Sequence, residues 1–338
     1  MKLSVNTSRP YDIVIEDSFL EIEKQIKKVF SGRKLLIVCD SITKELYLEE
    51  IKEKLSCFEL FEYAVLSGEK SKNIENYVKI IEFLAENSFN RNDGVLALGG
   101  GVVGDLAGFV SATYMRGICL IQCPTTLLSC VDSSIGGKTG VDLKQGKNLV
   151  GAFYQPSLTY INVSTLNTLP KREIESGFGE VIKYAFLSKA VSKKLLKEGV
   201  SKKLILECVK IKAQIVAEDE FDSGKRALLN LGHTVGHAIE TLNNFTLSHG
   251  VSVAIGIEKV IEMSKRFYHL TDEKVLELKD LLALKGYEVN IKIDKEEIVE
   301  QICHDKKTTQ NTVSFILIKD IGDVRVEKLS FDKIRELL

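Results

Sequence analysis

Three of the chain's five histidines, His233, His237 and His249, fall within 17 residues, in the segments LLNLGHTVGHAIE and HGVSVAIGIE. His233 and His237 are four apart, so on a helix their imidazoles share one face. His249 opens a second stretch of helical pattern. Neutral imidazole suits zinc and similar cations, and a catalytic metal keeps one position open for substrate. Such a site wants another protein ligand. Glu180, in ESGFGEVIKYAF, fits because a carboxylate in a short apolar stretch needs a compensating charge. Any one histidine is more often a packed or surface group, so the reading rests on the grouping. His269 and His304 have no such company and read as surface residues.

A second constellation is a glycine turn. Val95–Leu98 runs into Gly99, Gly100 and Gly101, then Val102, Val103, Gly104 and Asp105, followed by an apolar, helix-compatible segment. Gly99-x-Gly101-x-x-Gly104 meets the dinucleotide-binding pattern in the context it needs, strand before and helix after. Glycine admits a close pyrophosphate, and a helix N-terminus offers free N–H groups and a favourable dipole. A tight turn kept for packing would read the same way. No acid ends a strand about 20 residues downstream, where a ribose-binding carboxylate is expected. Asp40, closing an earlier strand, could serve if the strand order differs; otherwise it is a solvated strand-end acid.

A third set is cationic. Asp132–Gly140 (DSSIGGKTG) combines glycines, hydroxyls and Lys138 without the spacing of a Walker A loop. Lys147 and Asn148 follow in a second glycine-flanked segment. Lys183 is three residues past Glu180 on the same helical face, and Lys212 sits in a largely apolar run. Arg226 and Asn230 are one turn apart just before His233, and Lys306 lies in DKK. Each alone is most simply a solvated side chain. Gathered around a metal, they would suit a phosphorylated, polyhydroxylated acid.

The elements that must position these groups follow from periodicity. Val5–Ile15 contains short strand-like runs, and Leu35–Asp40 (LLIVCD) is a continuous apolar run of buried-strand type. Phe61–Leu66, Val95–Leu98 and Ile118–Cys123 repeat that pattern, with helical stretches at about 43–55 and 73–88. Alternating strands and helices imply a parallel sheet covered on both faces. From about Leu169 helical periodicity dominates, at 171–187, 191–197, 201–218, 226–243, 250–268 and 272–284. A late strand, Val313–Ile318, precedes a terminal helical stretch. The expected organisation is a Rossmann-like α/β domain over 1–165 and a mostly helical domain over 166–338.

Bulk properties exclude several classes. A chain of 338 residues exceeds the usual reach of one core. A net charge of −1 without long runs of one sign argues against nucleic acid or an anionic membrane as main partner. The first residues lack the apolar core of a signal peptide, and no apolar run approaches the roughly 18 residues of a spanning helix. Seven cysteines without a CxxC pair fit a reduced, cytoplasmic protein.

Beyond these readings, GGGVVGDLAGFVSATYMRG, CPTTLLSCVDSSIGGKTGVD, GKNLVGAFYQP, TLPKREIESGFGEVIKY, AEDEFDSGKRALLNLGHTVGHAIE and HGVSVAIGIE resemble, in order, the diagnostic blocks of the 3-dehydroquinate synthases. The resemblance runs from SGEKSK to DKK, most of the chain. It implies a two-domain NAD- and metal-dependent lyase, homodimeric. The family's reaction turns 3-deoxy-arabino-heptulosonate 7-phosphate into 3-dehydroquinate and phosphate by transient oxidation, elimination, re-reduction and aldol closure.

The resemblance puts the metal, zinc or cobalt, on Glu180, His233 and His249, and moves His237 from ligand to substrate neighbour. It puts NAD contacts on Asp40, Ser67, Gly68, Glu69, Lys70, Ser71, Lys72, Gly100, Gly101, Val102, Val103, Gly104, Asp105, Thr125, Thr126, Lys138, Lys147, Thr165, Leu166, Asn167 and Thr168. Substrate contacts fall on Arg116, Asp132, Lys138, Asn148, Lys183, Lys212, Arg226, Asn230, His237 and Lys306. Two positions depart from the family pattern, Val251 where an acid often stands and Asn311 where a glycine often stands. The nearest rivals are other sugar-phosphate cyclases, of 2-deoxy-scyllo-inosose or 2-epi-5-epi-valiolone synthase type. Metal-dependent alcohol dehydrogenases and a silent NAD-binding module stand further off.

Overall fold

The computed structural model describes residues 1–244, 246–284, 294–305 and 312–338, with only the backbone at 304 and 305. The chain divides into two compact units. One is Met1–Leu169 with Lys212–Phe221; the other is Pro170–Ile211 with Asp222–Leu338. These units part at Leu169/Pro170, near the 165/166 boundary read from the sequence, and a stretch carrying Lys212 packs with the first unit.

The first unit is built in the order β1 (Lys2–Val5), β2 (Tyr11–Glu16), α1 (Ile22–Ile26), β3 (Lys34–Asp40), α2 (Ser41–Lys54), β4 (Glu59–Val65), α3 (Ile74–Glu86), β5 (Gly94–Gly99), α4 (Gly101–Thr113), β6 (Cys119–Pro124), β7 (Lys138–Leu143), β8 (Gly146–Phe153) and β9 (Leu158–Asn162). Seven strands form one sheet in the order β1-β2-β9-β6-β5-β3-β4. Every neighbouring pair is parallel except β1 with β2. Successive side chains of a strand point to opposite faces. Leu35, Ile37, Cys39, Leu96, Leu98 and Ile121 thus pack with Ile22, Leu48 and Ile51 of α1 and α2. Leu36, Val38, Val95 and Ala97 pack on the other face with Ile80 and Leu84 of α3 and Val103, Leu106 and Val110 of α4. Burial on both faces is why LLIVCD and VLAL read as unbroken apolar runs.

The sequence reading missed β9, five residues long and wholly buried. It also assigned no strands to the glycine-flanked segments around Lys138 and Lys147. They pair as the antiparallel hairpin β7–β8, tied to the unit by a hydrogen bond from Asp142 N to the Lys72 carbonyl, 2.8 Å.

The second unit contains α5 (Lys171–Leu187), α6 (Lys193–Glu198), the start of α7 (Lys202–Glu218), α8 (His233–Leu242), α9 (His249–Tyr268), α10 (Asp272–Ala283), α11 (Lys295–Asp305), the antiparallel pair β10 (Thr312–Asp320) and β11 (Asp323–Ser330), and α12 (Phe331–Leu337). The helix expected over 226–243 is interrupted. Lys225–Asn230 forms a tight 3₁₀ turn, and Gly232, with φ of 79°, starts α8 afresh. A left-handed residue cannot continue a right-handed helix, and glycine takes it without strain. Neither α11 nor β11 was expected from the sequence. No described helix is long and apolar enough to cross a membrane.

Candidate active site

In the second unit, Glu180 lies inside α5, His233 is the first residue of α8, and His249 is the first residue of α9. A close crossing of α5 and α9 brings two of these together. A Cβ at Gly179 would stand 1.9 Å from the Gly250 carbonyl oxygen, and one at Gly250 would stand 1.7 Å from that of Ser176. Only glycine permits that approach. Each glycine is the immediate neighbour of a cluster residue, Glu180 and His249.

The resulting cluster is tight. Glu180 Oε1 is 3.4 Å from His233 Nε2 and 3.3 Å from His249 Nε2. Glu180 Oε2 forms an ion pair with Lys183 Nζ, and both side chains are 1% exposed. Even so, neither Glu180 oxygen has a hydrogen bond of good geometry, although both are buried. His233, His237 and His249 each offer a ring nitrogen within 4.8 Å of the others. Burial works to raise the Glu180 pKa, yet Lys183 and the imidazoles hold it well below the carboxylate range. Burial disfavours the His249 imidazolium, but Glu180 and Glu240 pull its pKa up from 6.5 to about 10. The field at this point therefore calls for positive charge. A divalent cation fits: two imidazole nitrogens and a carboxylate with unsatisfied oxygens converge where a zinc-type ion takes N and O donors.

The cationic set is partly here. Lys183 and Arg226 are buried, at 1% and 2% exposure, while Asn230 and His237 are exposed. Arg226 and Asn230 belong to the turn just before α8. Lys306 and Asn311 lie outside the described residues. Val251 sits in the first turn of α9, next to Gly250.

In the first unit, parallel strands put their C-terminal ends on one edge of the sheet, and the expected cofactor residues follow those ends. Asp40 closes β3, Ser67–Lys72 follow β4, Gly100–Asp105 follow β5, Thr125 and Thr126 follow β6, and Thr165–Thr168 follow β9. Strand order reverses between β3 and β5, because β4 lies outside β3 and β6 outside β5. Open α/β sheets bind ligands at such a switch point. Asp40 stands beside the turn on the adjacent strand, the place weighed for it when no acid was found 20 residues past the glycines. One Asp40 oxygen caps α2, accepting from Ile42 N and Thr43 N at 2.9 Å.

The glycine turn has the packing role weighed for it and leaves room for the other. Gly99 and Gly104 serve packing, since their Cβ atoms would meet Val103 and Gln122 at 2.6 and 2.9 Å. Gly100 caps α4 with no side-chain hydrogen bond. A Cβ at Gly100 or Gly101 would narrow the space toward Thr126 or Ser133, 3.1 Å away in each case. A pyrophosphate fits this cradle.

Around the turn runs a charged network. Buried Lys72 pairs with Asp105 at 2.9 Å and lies 3.8 Å from Glu69. Lys147 reaches Glu69 at 3.5 Å, and Asn148 N donates to Asp142 Oδ1 at 2.8 Å. Lys138 is exposed at the start of β7. Lys212 Nζ donates to the Asp132 carbonyl at 2.7 Å and pairs with its carboxylate at 3.0 Å. Asp132 itself lies in a short π-helical turn, Ser129–Ser133.

Arg116 does not join this set. It follows α4 and precedes β6, at the opposite edge of the sheet, and the 13 residues of α4 span about 20 Å. Sequence reasoning also missed residues that support the site. Tyr47 Oη donates to the Thr165 carbonyl at 3.0 Å and also meets Thr168 Oγ1. Glu240 Oε1 lies 3.2 Å from His249 Nδ1. Glu240 stands seven residues from His233, a same-face spacing that could have marked it.

Known proteins share this arrangement. Residues 62–176 match the family described as 3-dehydroquinate synthase N-terminal, and residues 177–308 match 3-dehydroquinate synthase C-terminal. A 3-dehydroquinate synthase of Ruminiclostridium cellulolyticum is 42% identical over 94% of this chain and 92% of its own length. That of Clostridium acetobutylicum is 40% identical over 97% of this chain and 95% of its own. A solved 2-deoxy-scyllo-inosose synthase, complexed with carbaglucose-6-phosphate, NAD+ and Co2+, superposes with a TM-score of 0.90 at 24% identity. The alignment covers 100% of this chain and 99% of that one. At that identity the likeness speaks for the fold. With both family matches and full-length relatives near 40% identity, the chain belongs to the 3-dehydroquinate synthase family.

Proposed function

We propose that the chain is a phosphate-eliminating lyase that converts 3-deoxy-D-arabino-heptulosonate 7-phosphate into 3-dehydroquinate and inorganic phosphate, a step of the shikimate route to aromatic amino acids. The observation that carries this is full-length identity of about 40% to 3-dehydroquinate synthases, against 24% to the solved cyclase of similar fold. Glu180, His233 and His249 would hold a divalent metal, zinc or cobalt, with His237 beside the substrate. The switch point would hold NAD, its pyrophosphate on the N-terminus of α4 and its ribose near Asp40. Residues 1–165 would then form the cofactor domain and 166–338 the metal and substrate domain.

When bound, NAD supplies a hydride acceptor that returns the hydride within the cycle, and the metal supplies a Lewis acid at a substrate hydroxyl. The chain's own residues bind and orient. Arg226 and Lys183, buried beside the cluster residues in sequence, suit the substrate's anionic groups, where a bidentate or point-charge pair is strong. Lys212 is held by Asp132 with its ammonium pre-aimed, so little rotamer freedom is left to lose on binding. Arg116 is about 20 Å of helix from its own glycine turn. A substrate role for it would be supplied to a second copy of the chain, in keeping with a homodimer. Cytoplasmic location accords with the seven cysteines and the small charged substrate.

The test compares substrates. Protein stripped by chelator and resupplied with zinc or cobalt and NAD is offered the heptulosonate phosphate or glucose 6-phosphate. Dehydroquinate from the first alone is expected. Turnover of glucose 6-phosphate alone would move the chain among the other sugar-phosphate cyclases.

A further inference from the structure

The two imidazoles that face Glu180 are held in the same way. His233 turns Nε2 toward Glu180 and has the Leu231 carbonyl oxygen 3.2 Å from Nδ1. His249 turns Nε2 toward Glu180 and has Glu240 Oε1 3.2 Å from Nδ1. An acceptor at Nδ1 keeps a ring proton there, so that when a cation displaces the other proton it is the Nε2 lone pair that faces the cluster. Leu231 belongs to the turn before α8, and Glu240 lies on α8, so one short segment sets both rings. Glu240 is 8% exposed, and a carboxylate so buried is costly without a partner. His233, His237 and Glu240 recur at spacings of four and three along α8, which turns all three toward one side.

We infer that Glu240 is a positioning residue of the metal centre, fixing the tautomer and ring orientation of His249 through Nδ1. The inference rests on the metal reading above. It adds that the centre depends on a group touching neither metal nor substrate. Acceptors of this kind orient ligating histidines and raise their basicity, and losing one weakens metal affinity about 10- to 100-fold. A carboxylate placed only to tie α8 to α9 would affect stability and leave affinity alone.

The experiment measures zinc and cobalt dissociation constants by competition with a chromophoric chelator, on the full chain, for the unmodified protein, Glu240→Ala, Glu240→Gln and His249→Ala. The visible absorption of bound cobalt is recorded alongside, and NAD affinity serves as a control for folding. Expected results are metal binding about 10- to 100-fold weaker in Glu240→Ala, a smaller loss in Glu240→Gln and a changed cobalt spectrum, with NAD affinity retained. Should Glu240→Ala fail to fold, Glu240→Gln keeps the volume and gives the same comparison. Unchanged dissociation constants and spectrum, even with a lower melting temperature, overturn the inference. His249→Ala separates the two claims. If it too binds metal as tightly as the unmodified protein, the ligand assignment falls as well; if it alone loses metal, only the role of Glu240 falls.

Discussion

Replacing Gly250 by alanine should disable the metal cluster through geometry alone, leaving every cluster side chain in place. The new Cβ would lie 1.7 Å from the Ser176 carbonyl oxygen, whereas real Cβ contacts stay above about 3.0 Å, so α5 and α9 must part by about 1.3 Å. No rotamer relieves this clash, because the obstacle is backbone. The displacement occurs one residue from His249 and one helical turn from Glu180, whose facing atoms are 3.3 Å apart. Metal–ligand distances tolerate only about 0.2 Å. Overpacking of this kind also costs about 1–3 kcal/mol. Urea unfolding of the metal-free protein should therefore show that loss, and metal titration should show no stoichiometric binding. Gly179→Ala attacks the same contact from the other helix, at 1.9 Å, and should match it. Wild-type metal affinity with an unchanged urea midpoint in either variant would refute the claim that this crossing builds the site.

Glu180→Ala leaves the Lys183 ammonium, 1% exposed, without its carboxylate and should cost about 3–5 kcal/mol in the metal-free protein. Urea unfolding should show part of that recovered in the double variant Glu180→Ala/Lys183→Met. Lys72 offers a pH test: burial disfavours its ammonium, but Asp105 and its acidic neighbours raise its pKa above 10.5. Its contribution to stability is complete below 10.5 and lost as pH climbs through the raised value. Lys72→Met should accordingly flatten the alkaline fall in urea stability, and an identical alkaline profile would contradict the pairing. Tyr47→Phe removes the hydrogen bonds to the turn after β9. Each such bond is worth about 0.5–1.5 kcal/mol, so NAD titration should show affinity lower by about 2- to 10-fold.

Parts of the site were legible because the sequence itself concentrates them. His233, His237 and His249 cluster along the chain, and Glu180 is conspicuous as a carboxylate among apolar residues. LLIVCD and VLAL announced buried parallel strands by their length and lack of alternation. What escaped depends on tertiary choices. Asp40 was named from the sequence, but its place beside the glycine turn shows only once β3 and β5 are seen to be neighbours. Gly232 inside an apolar, helix-like run reads as a tolerated glycine, and only its left-handed backbone reveals the break. Strand β9 is short, and its neighbours in the sheet, β2 and β6, are distant in sequence. Glu240 looked like any helix acid until α9 placed His249 against it. Lys212 was legible as an unusual lysine, but its packing with the first unit was not, since α7 carries no visible boundary at Ile211.

The central claim is tested most directly by counting products per cofactor. Protein freed of metal is given the heptulosonate phosphate, NAD well below substrate concentration, and zinc or cobalt, and phosphate and dehydroquinate are followed together. The account predicts equimolar phosphate and dehydroquinate, many turnovers per NAD, no net NADH, and no turnover until metal is restored. NADH accumulating in step with product, or phosphate released without dehydroquinate, would contradict it.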